Sequence, residues 1–143
     1  YDLPRLGKAL ADWRPHVVGI GANTPVYPTS VRIAAMAKRA DPGVLTVLGG
    51  PHASMAAEDC LEHIPELDFV VRGEGEETML EVCRLWRTDA GTEAFDGIRG
   101  IVLRKDGKVT ANPPRPPIAD LDTLRRRGWG RGRGECAPLA PGP

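Results

Sequence analysis

Residues with the types and spacing to serve a ligand fall in three short segments of this 143-residue chain: Gly21 to Pro28, Gly49-Gly50-Pro51-His52 and Gly73-Glu74-Gly75-Glu76. Each follows an apolar run. Glycine lacks a β-carbon, so backbone at these points can pass close to a bulky ligand or take up positive φ. The plain alternative is that each glycine only makes a tight turn from strand to helix; three such loops together favour a shared cleft. None of them matches G-x-x-x-x-G-K-[ST], which argues against a phosphate-cradling P-loop. The run Gly73-Glu74-Gly75-Glu76-Glu77-Thr78 begins as G-x-G but has Thr78 where a dinucleotide fingerprint needs its third glycine. Its carboxylates, Glu74, Glu76 and Glu77, would repel a pyrophosphate. A large ligand carrying many neutral amides suits these acceptors better.

Other reactive groups are sparse. His52 is the tempting metal ligand, but capping its loop or the helix turn that follows is the plainer role. His16 and His63 lie outside the three loops and read as structural or exposed. Cys60, Cys83 and Cys136 are far apart and show no C-x-x-C spacing. Neither a zinc site nor a disulfide framework is indicated, and a reducing cytoplasm is the expected compartment. No catalytic residue and no set of metal ligands is assigned.

The elements that must position these loops follow one grammar, an apolar run, a loop, then a helical pattern. The runs are His16 to Ile20, Val44 to Leu48 and Asp68 to Arg72. Helical periodicity covers about Thr29 to Ala40, and again Glu77 to Trp86 with a stop near Gly91. Leu3 to Trp13 reads as the last turns of a further helix. Such alternation gives consecutive βα units on a parallel sheet, and the near-continuous apolarity of the runs means that both sheet faces are covered. Ligands bind such sheets beyond the carboxyl ends of the strands, where all three loops lie. Past Gly97 the pattern changes. Gly100 to Arg104 and Val109 to Ala111 flank an Asp106-Gly107 turn and predict a β-hairpin. Asn112-Pro113-Pro114-Arg115-Pro116-Pro117 then forms an extended linker.

Hydrophobic residues make up 41% of the chain and charged residues 27%, which is enough apolar material for one buried core. Net charge is zero, but from Leu124 onward five arginines stand against Glu135 alone, leaving the first 123 residues at −4. An acidic body with a basic tail argues against a nucleic-acid surface on the folded part. No apolar run approaches the ~20 residues that cross a bilayer. The start shows no apolar h-region of a signal peptide, and opening without Met is read as the mark of a fragment.

Three quoted stretches, in order, carry a resemblance. They are Pro15-His16-Val17-Val18-Gly19-Ile20 with Asn23-Thr24-Pro25, then Val47-Leu48-Gly49-Gly50-Pro51-His52, then Asp68-Phe69-Val70-Val71-Arg72-Gly73-Glu74-Gly75-Glu76-Glu77-Thr78. They resemble the cobalamin-binding domain of cobalamin-dependent radical S-adenosylmethionine enzymes. The likeness continues through the hairpin and the linker to Asp120-Leu121-Asp122, and covers about Leu3 to Leu124. It implies a flavodoxin-like (Rossmann-like) α/β fold, a parallel sheet with flanking helices, three βα units and a following β-hairpin. Cobalamin would bind at its carboxyl edge. On this resemblance Gly49 and Gly50, with Pro51 and His52 beside them, let the nucleotide tail pass along the sheet edge. Gly21, Asn23, Thr24 and Pro25 on one side, and Gly73, Glu74, Gly75 and Glu76 on the other, flank tail and corrin. Gly21 stands where many such domains carry a serine, so one hydrogen bond to the tail's base is expected to be absent.

The chain departs from the pattern in two ways. It has no D-x-H-x-x-G, the source of the lower cobalt ligand in methionine-synthase-like domains. It also lacks the C-x-x-x-C-x-x-C that holds a [4Fe–4S] cluster. Cluster and S-adenosylmethionine are therefore expected only in the radical domain of a parent enzyme. The expected organisation is a partial cobalamin-binding domain over residues 1–95, a hairpin and linker over 96–123, and a disordered Arg/Gly/Pro tail over 124–143. That tail reads as a shifted or premature frame. Two strands before His16 would be missing, so the chain alone is expected to bind cobalamin weakly or not at all. The alternative is a flavodoxin-like interaction or signalling domain without cofactor. Its receiver form would need an acidic cluster where Gly21, Gly49 and Gly73 stand.

Overall fold

The computed structural model describes residues 2–86 and 92–120. Gly91 as a helix stop and the tail over 124–143 lie outside them.

The chain opens with α1 (Leu3–Trp13). Asp2 caps it, its side chain accepting from the Arg5 N–H at 3.0 Å, and Arg14 ends it in the left-handed region at φ 45°. Strand β1 (Val17–Gly21) follows, then a 3-10 turn (Thr24–Val26) and α2 (Tyr27–Ala40). The sequence placed the start of α2 at Thr29. It begins two residues earlier because Asn23 caps the preceding turn, its side chain accepting from the Val26 N–H at 3.3 Å. Strand β2 (Leu45–Gly49) leads into two short helices, α3 (Pro51–Met55) and α4 (Ala57–His63). Sequence periodicity assigned no helix to most of this interval. Neither helix exceeds seven residues, and a break at Ala56 separates them, so no repeat of an apolar stripe can build up.

Strand β3 is short (Phe69–Val71). Asp68 before it and Arg72 after it are engaged elsewhere, as described below. Helix α5 (Glu76–Trp86) comes next, and a 3-10 turn (Thr92–Phe95) then precedes the hairpin of β4 (Ile101–Lys105) and β5 (Lys108–Ala111). Asp106 and Gly107 both have positive φ, the turn that twists a hairpin in the right sense.

The five strands lie in the order β1-β2-β3-β4-β5. The first three are parallel, with Val17 opposite Leu45 and Val47 opposite Phe69. The hairpin extends the same sheet, β4 running antiparallel to β3 with Val70 opposite Val102. One face, through Ile20, Leu48, Val70 and Val102, packs on Ala34, Ala53, Ala57, Cys60 and Leu61 of the three helices α2 to α4. The small side chains let those helices lie close to the strands. The other face, through Val47, Phe69, Val71 and Leu103, packs on Val82 of α5 and on Phe95 and Ile98. Helix α1 rests on α2 through Leu10 and Ala37. Against β1, which has a single strand neighbour among the described residues, Leu6, Val18, Ile20 and Ile33 line an open trough of about 420 Å³.

A polar network closes the amino end of the sheet. The Asp68 carboxylate accepts from the Thr46 N–H at 2.7 Å and from Lys38 Nζ at 2.7 Å. The fully buried Thr46 hydroxyl meets that carboxylate and the Glu66 carbonyl. Lys38 also donates to the Val44 carbonyl at 2.7 Å, tying α2 to the start of β2. Asp68→Ala strands the buried Thr46 N–H, while the Thr46 hydroxyl keeps the Glu66 carbonyl, and should cost about 1–3 kcal/mol. Asp12→Ala breaks only the exposed ion pair with Lys8, and should cost under about 1 kcal/mol. Urea unfolding of the two variants checks the contrast; equal midpoints would refute it.

Candidate cofactor cleft

Strands β1 and β2 end level, Gly21 opposite Gly49. Beyond them the first two loops are zipped together. The Ala22 N–H donates to the Gly49 carbonyl at 2.8 Å, and the His52 N–H donates to the Ala22 carbonyl at 3.1 Å. Gly50 makes this possible. Its φ is +97°, and a β-carbon there would lie 2.6 Å from the Ala22 oxygen. At Gly49 an added β-carbon meets only the Val71 oxygen at 3.9 Å, and at Gly21 and Gly73 it meets nothing within 4 Å. The glycines that looked alike in sequence therefore divide. Gly50 is required by the fold, whereas Gly21 and Gly49 leave room above the sheet edge that packing does not demand. Gly73, at φ +71°, adds open space to a turn that disfavours side chains.

Side chains complete the join. The Thr24 hydroxyl lies 3.2 Å from His52 Nδ1, and the His52 ring packs on Tyr27 with centroids 4.2 Å apart and planes tilted by 40°. His52 thus links the first loop to the second while sitting in the first turn of α3. Ser54, two residues further along α3, accepts from the Gly73 N–H at 3.0 Å and ties in the third loop. Sequence reasoning missed Ser54, Tyr27 and Arg115. Only Arg115 carried a local signal, as a lone cation among prolines.

The twelve expected residues gather at this one edge but do different things. Gly21, Gly49 and Gly73 offer bare backbone. Asn23 caps a turn, and Pro25 and Pro51 stand in first turns. The Gly75 carbonyl accepts from Met79 as α5 begins, and Glu76 sits in that helix's first turn. Glu74 accepts from the Ile118 N–H at 2.6 Å. Glu77 is paired with Arg115 at 3.0 Å. The third loop is therefore less negative toward a ligand than its sequence suggests, with Glu76 alone of the three carboxylates unpartnered among the described residues. Within the described residues, no group of three or more His, Cys, Asp and Glu side chains comes together to hold a metal ion.

Two groups under the cleft have displaced proton affinities. Burial, followed by a hydrogen bond with the Cys60 side chain, pushes the Tyr27 phenol up to about 12. Burial likewise raises the Cys60 thiol, so this cysteine stays protonated and unreactive.

Gly50→Ala should destabilise the chain by roughly 2–4 kcal/mol, since strain and backbone collision add. Gly21→Ala and Gly49→Ala should unfold within about 1 kcal/mol of the parent, since their β-carbons meet open space or ordinary contact. Thermal unfolding of the three variants separates these roles. The folded phenol of Tyr27 keeps its proton to about 12, whereas the unfolded one loses it near 10.0. Its contribution is complete below pH 10 and is lost as pH rises toward 12. Over that window the parent should lose more urea stability than Tyr27→Phe; parallel curves would count against the assignment.

Comparison with known proteins agrees with this architecture. The family model described as "B12 binding domain" matches residues 2–83. The anaerobic magnesium-protoporphyrin IX monomethyl ester cyclase of Rubrivivax gelatinosus is 39% identical over 114 residues, 78% of this chain and 20% of that protein. An uncharacterized methyltransferase of Pyrococcus horikoshii is 35% identical over 121 residues, 83% of this chain and 25% of that protein. The chain therefore spans about a fifth to a quarter of the length of these relatives. Among solved structures, the radical S-adenosylmethionine methyltransferase TsrM of Kitasatospora setae, with cobalamin and a [4Fe-4S] cluster bound, superposes with a TM-score of 0.67 at 20% identity. That match covers 80% of this chain and 21% of TsrM. The cobalamin-dependent S-adenosylmethionine radical enzyme OxsB gives 0.66 at 20% identity, over 80% of this chain and 16% of OxsB. At that identity the superpositions establish the shared α/β fold. The profile match, over more than half of the residues, goes further: the chain belongs to the B12 binding domain family.

Proposed function

We propose that this chain is the cobalamin-binding module of a radical S-adenosylmethionine enzyme and holds the corrinoid at the carboxyl edge of its parallel strands. One observation carries the reading. Three loops, joined through Ala22–Gly49, Thr24–His52 and Ser54–Gly73, form a single edge from which side chains have been removed. A bulky, amide-rich ligand fits such an edge, since backbone can approach it directly. Gly21, Gly49, Gly50, Gly73 and Gly75 supply that backbone. Asn23, Thr24, Pro25, Pro51, His52, Glu74 and Glu76 stand around it.

The bound corrinoid would supply cobalt-centred chemistry. The chain's own residues bind and orient it, and none is assigned a catalytic role. The relatives that share this segment include a cyclase and a methyltransferase, so the shared part carries the cofactor and the rest of each enzyme chooses the reaction. On this reading residues 96–123 lead on toward a radical domain, which would hold the iron–sulfur cluster and S-adenosylmethionine. No helix among the described residues is long and apolar enough to cross a membrane. Cys60 and Cys83, which form no disulfide, accord with the cytoplasm as the compartment.

Hydroxocobalamin titrated to millimolar concentration into isotopically labelled chain tests the proposal. Amide shifts should concentrate at residues 21–24, 49–54 and 73–76, with weak affinity because β1 has a strand neighbour on one side only among the described residues. An unmoved spectrum, or shifts centred on another surface, would refute the reading and favour a cofactor-free interaction domain.

A further inference from the structure

The segment after β5 reads as a free spacer, since consecutive prolines forbid helix and central strand. It is instead pinned along its length: the Asn112 and Pro113 carbonyls accept from Arg72 at 2.7 Å and from the Gly100 N–H at 2.8 Å, and three further anchors follow. Asn112 is buried and donates through Nδ2 to the Phe95 and Ile98 carbonyls, both at 2.8 Å. Arg115, with only 13% of its side chain exposed, donates to Thr78 Oγ1 at 2.9 Å, to Glu77 at 3.0 Å and to Glu81 at 2.8 Å. Ile118 donates its N–H to the Glu74 carboxylate at 2.6 Å. The anchors at 112, 115 and 118 recur every three residues, and the prolines between them are exposed. The central anchor is the strongest, because one planar guanidinium satisfies two carboxylates and a buried hydroxyl.

We propose that Asn112–Ile118 is a latch on the third loop, docked by this three-residue repeat with Arg115 as its positioning residue. Glu74 belongs to the loop and Ile118 to the latch, so neither can shift without breaking their bond. The latch adds regulation to the proposed cofactor site and rests on that reading. Docked, it fixes the Glu74 carboxylate in one position and keeps the third loop in its ligand-ready shape. Ligand binding and latch docking should therefore favour each other.

Amide hydrogen exchange on the whole chain tests this, read at Ile118. Without ligand, Arg115→Met should speed exchange at Ile118 by roughly tenfold while the amides of Leu48 and Val70 in the sheet keep their protection. Arg115→Lys should restore protection only in part, since an ammonium cannot reproduce the fork. If Arg115→Met proves poorly folded, Glu74→Ala, which removes the acceptor of the Ile118 N–H at an exposed position, decides the matter by the same measurement. Equal exchange at Ile118 in parent and variants would overturn the latch. With hydroxocobalamin added, Ile118 should become more protected, and Arg115→Met should weaken binding severalfold. Shifts at residues 21–24 and 49–52 with no change at Ile118 would overturn the coupling and leave the cofactor site standing. Loss of all ligand-induced shifts would instead fail the site, and the ligand-free exchange rates would still decide whether the latch is docked.

Discussion

The backbone leaving β2 has to clear the loop leaving β1 at a distance that no β-carbon allows, and Gly50 meets that constraint. Its positive φ aims the His52 N–H at the Ala22 carbonyl. From this contact the remaining parts of the cleft follow in order. Helix α3 starts where it does, the His52 ring reaches Thr24 and Tyr27, and Ser54 arrives beneath the Gly73 N–H. The shape of the edge is therefore a property of backbone more than of side chains. Such an edge suits a ligand that is recognised by fit along its length.

Stability and binding sit at opposite ends of the parallel strands. At the amino end Asp68, Thr46 and Lys38 form a dense polar network. At the carboxyl end Gly21 and Gly73 have open space in place of side chains. A region short of buried contacts is drawn from the weaker part of a fold. Here the compensation comes from the cross-links between loops.

Much of this architecture is legible in the residues themselves. Runs such as Val44 to Leu48 announce buried strands, and Asp106-Gly107 announces the hairpin. Helices α3 and α4 are not legible, because a five-residue and a seven-residue helix separated at Ala56 show too little repeat to register. The roles of the glycines were hidden for another reason. What separates Gly50 from Gly49 is a carbonyl on a different loop, and local composition says nothing of it. The charge of the third loop misled in the same way. The partners of Glu77 and Glu74 lie 38 and 44 residues further along the chain, beyond the reach of any local pattern.

Among the described residues β1 has a neighbour on one side only, since β2 is its single partner. An open strand edge is a template on which other chains can add, and it invites fibrous association. Two of the five residues in β1 are exposed glycines, Gly19 and Gly21. Glycine is a poor strand former and gives an incoming strand no side chain to grip. Gly21, which leaves the cleft bare, thus also helps Gly19 to blunt this edge. At Gly21 a single choice of residue leaves room above the sheet and weakens β1 as a template for an added strand.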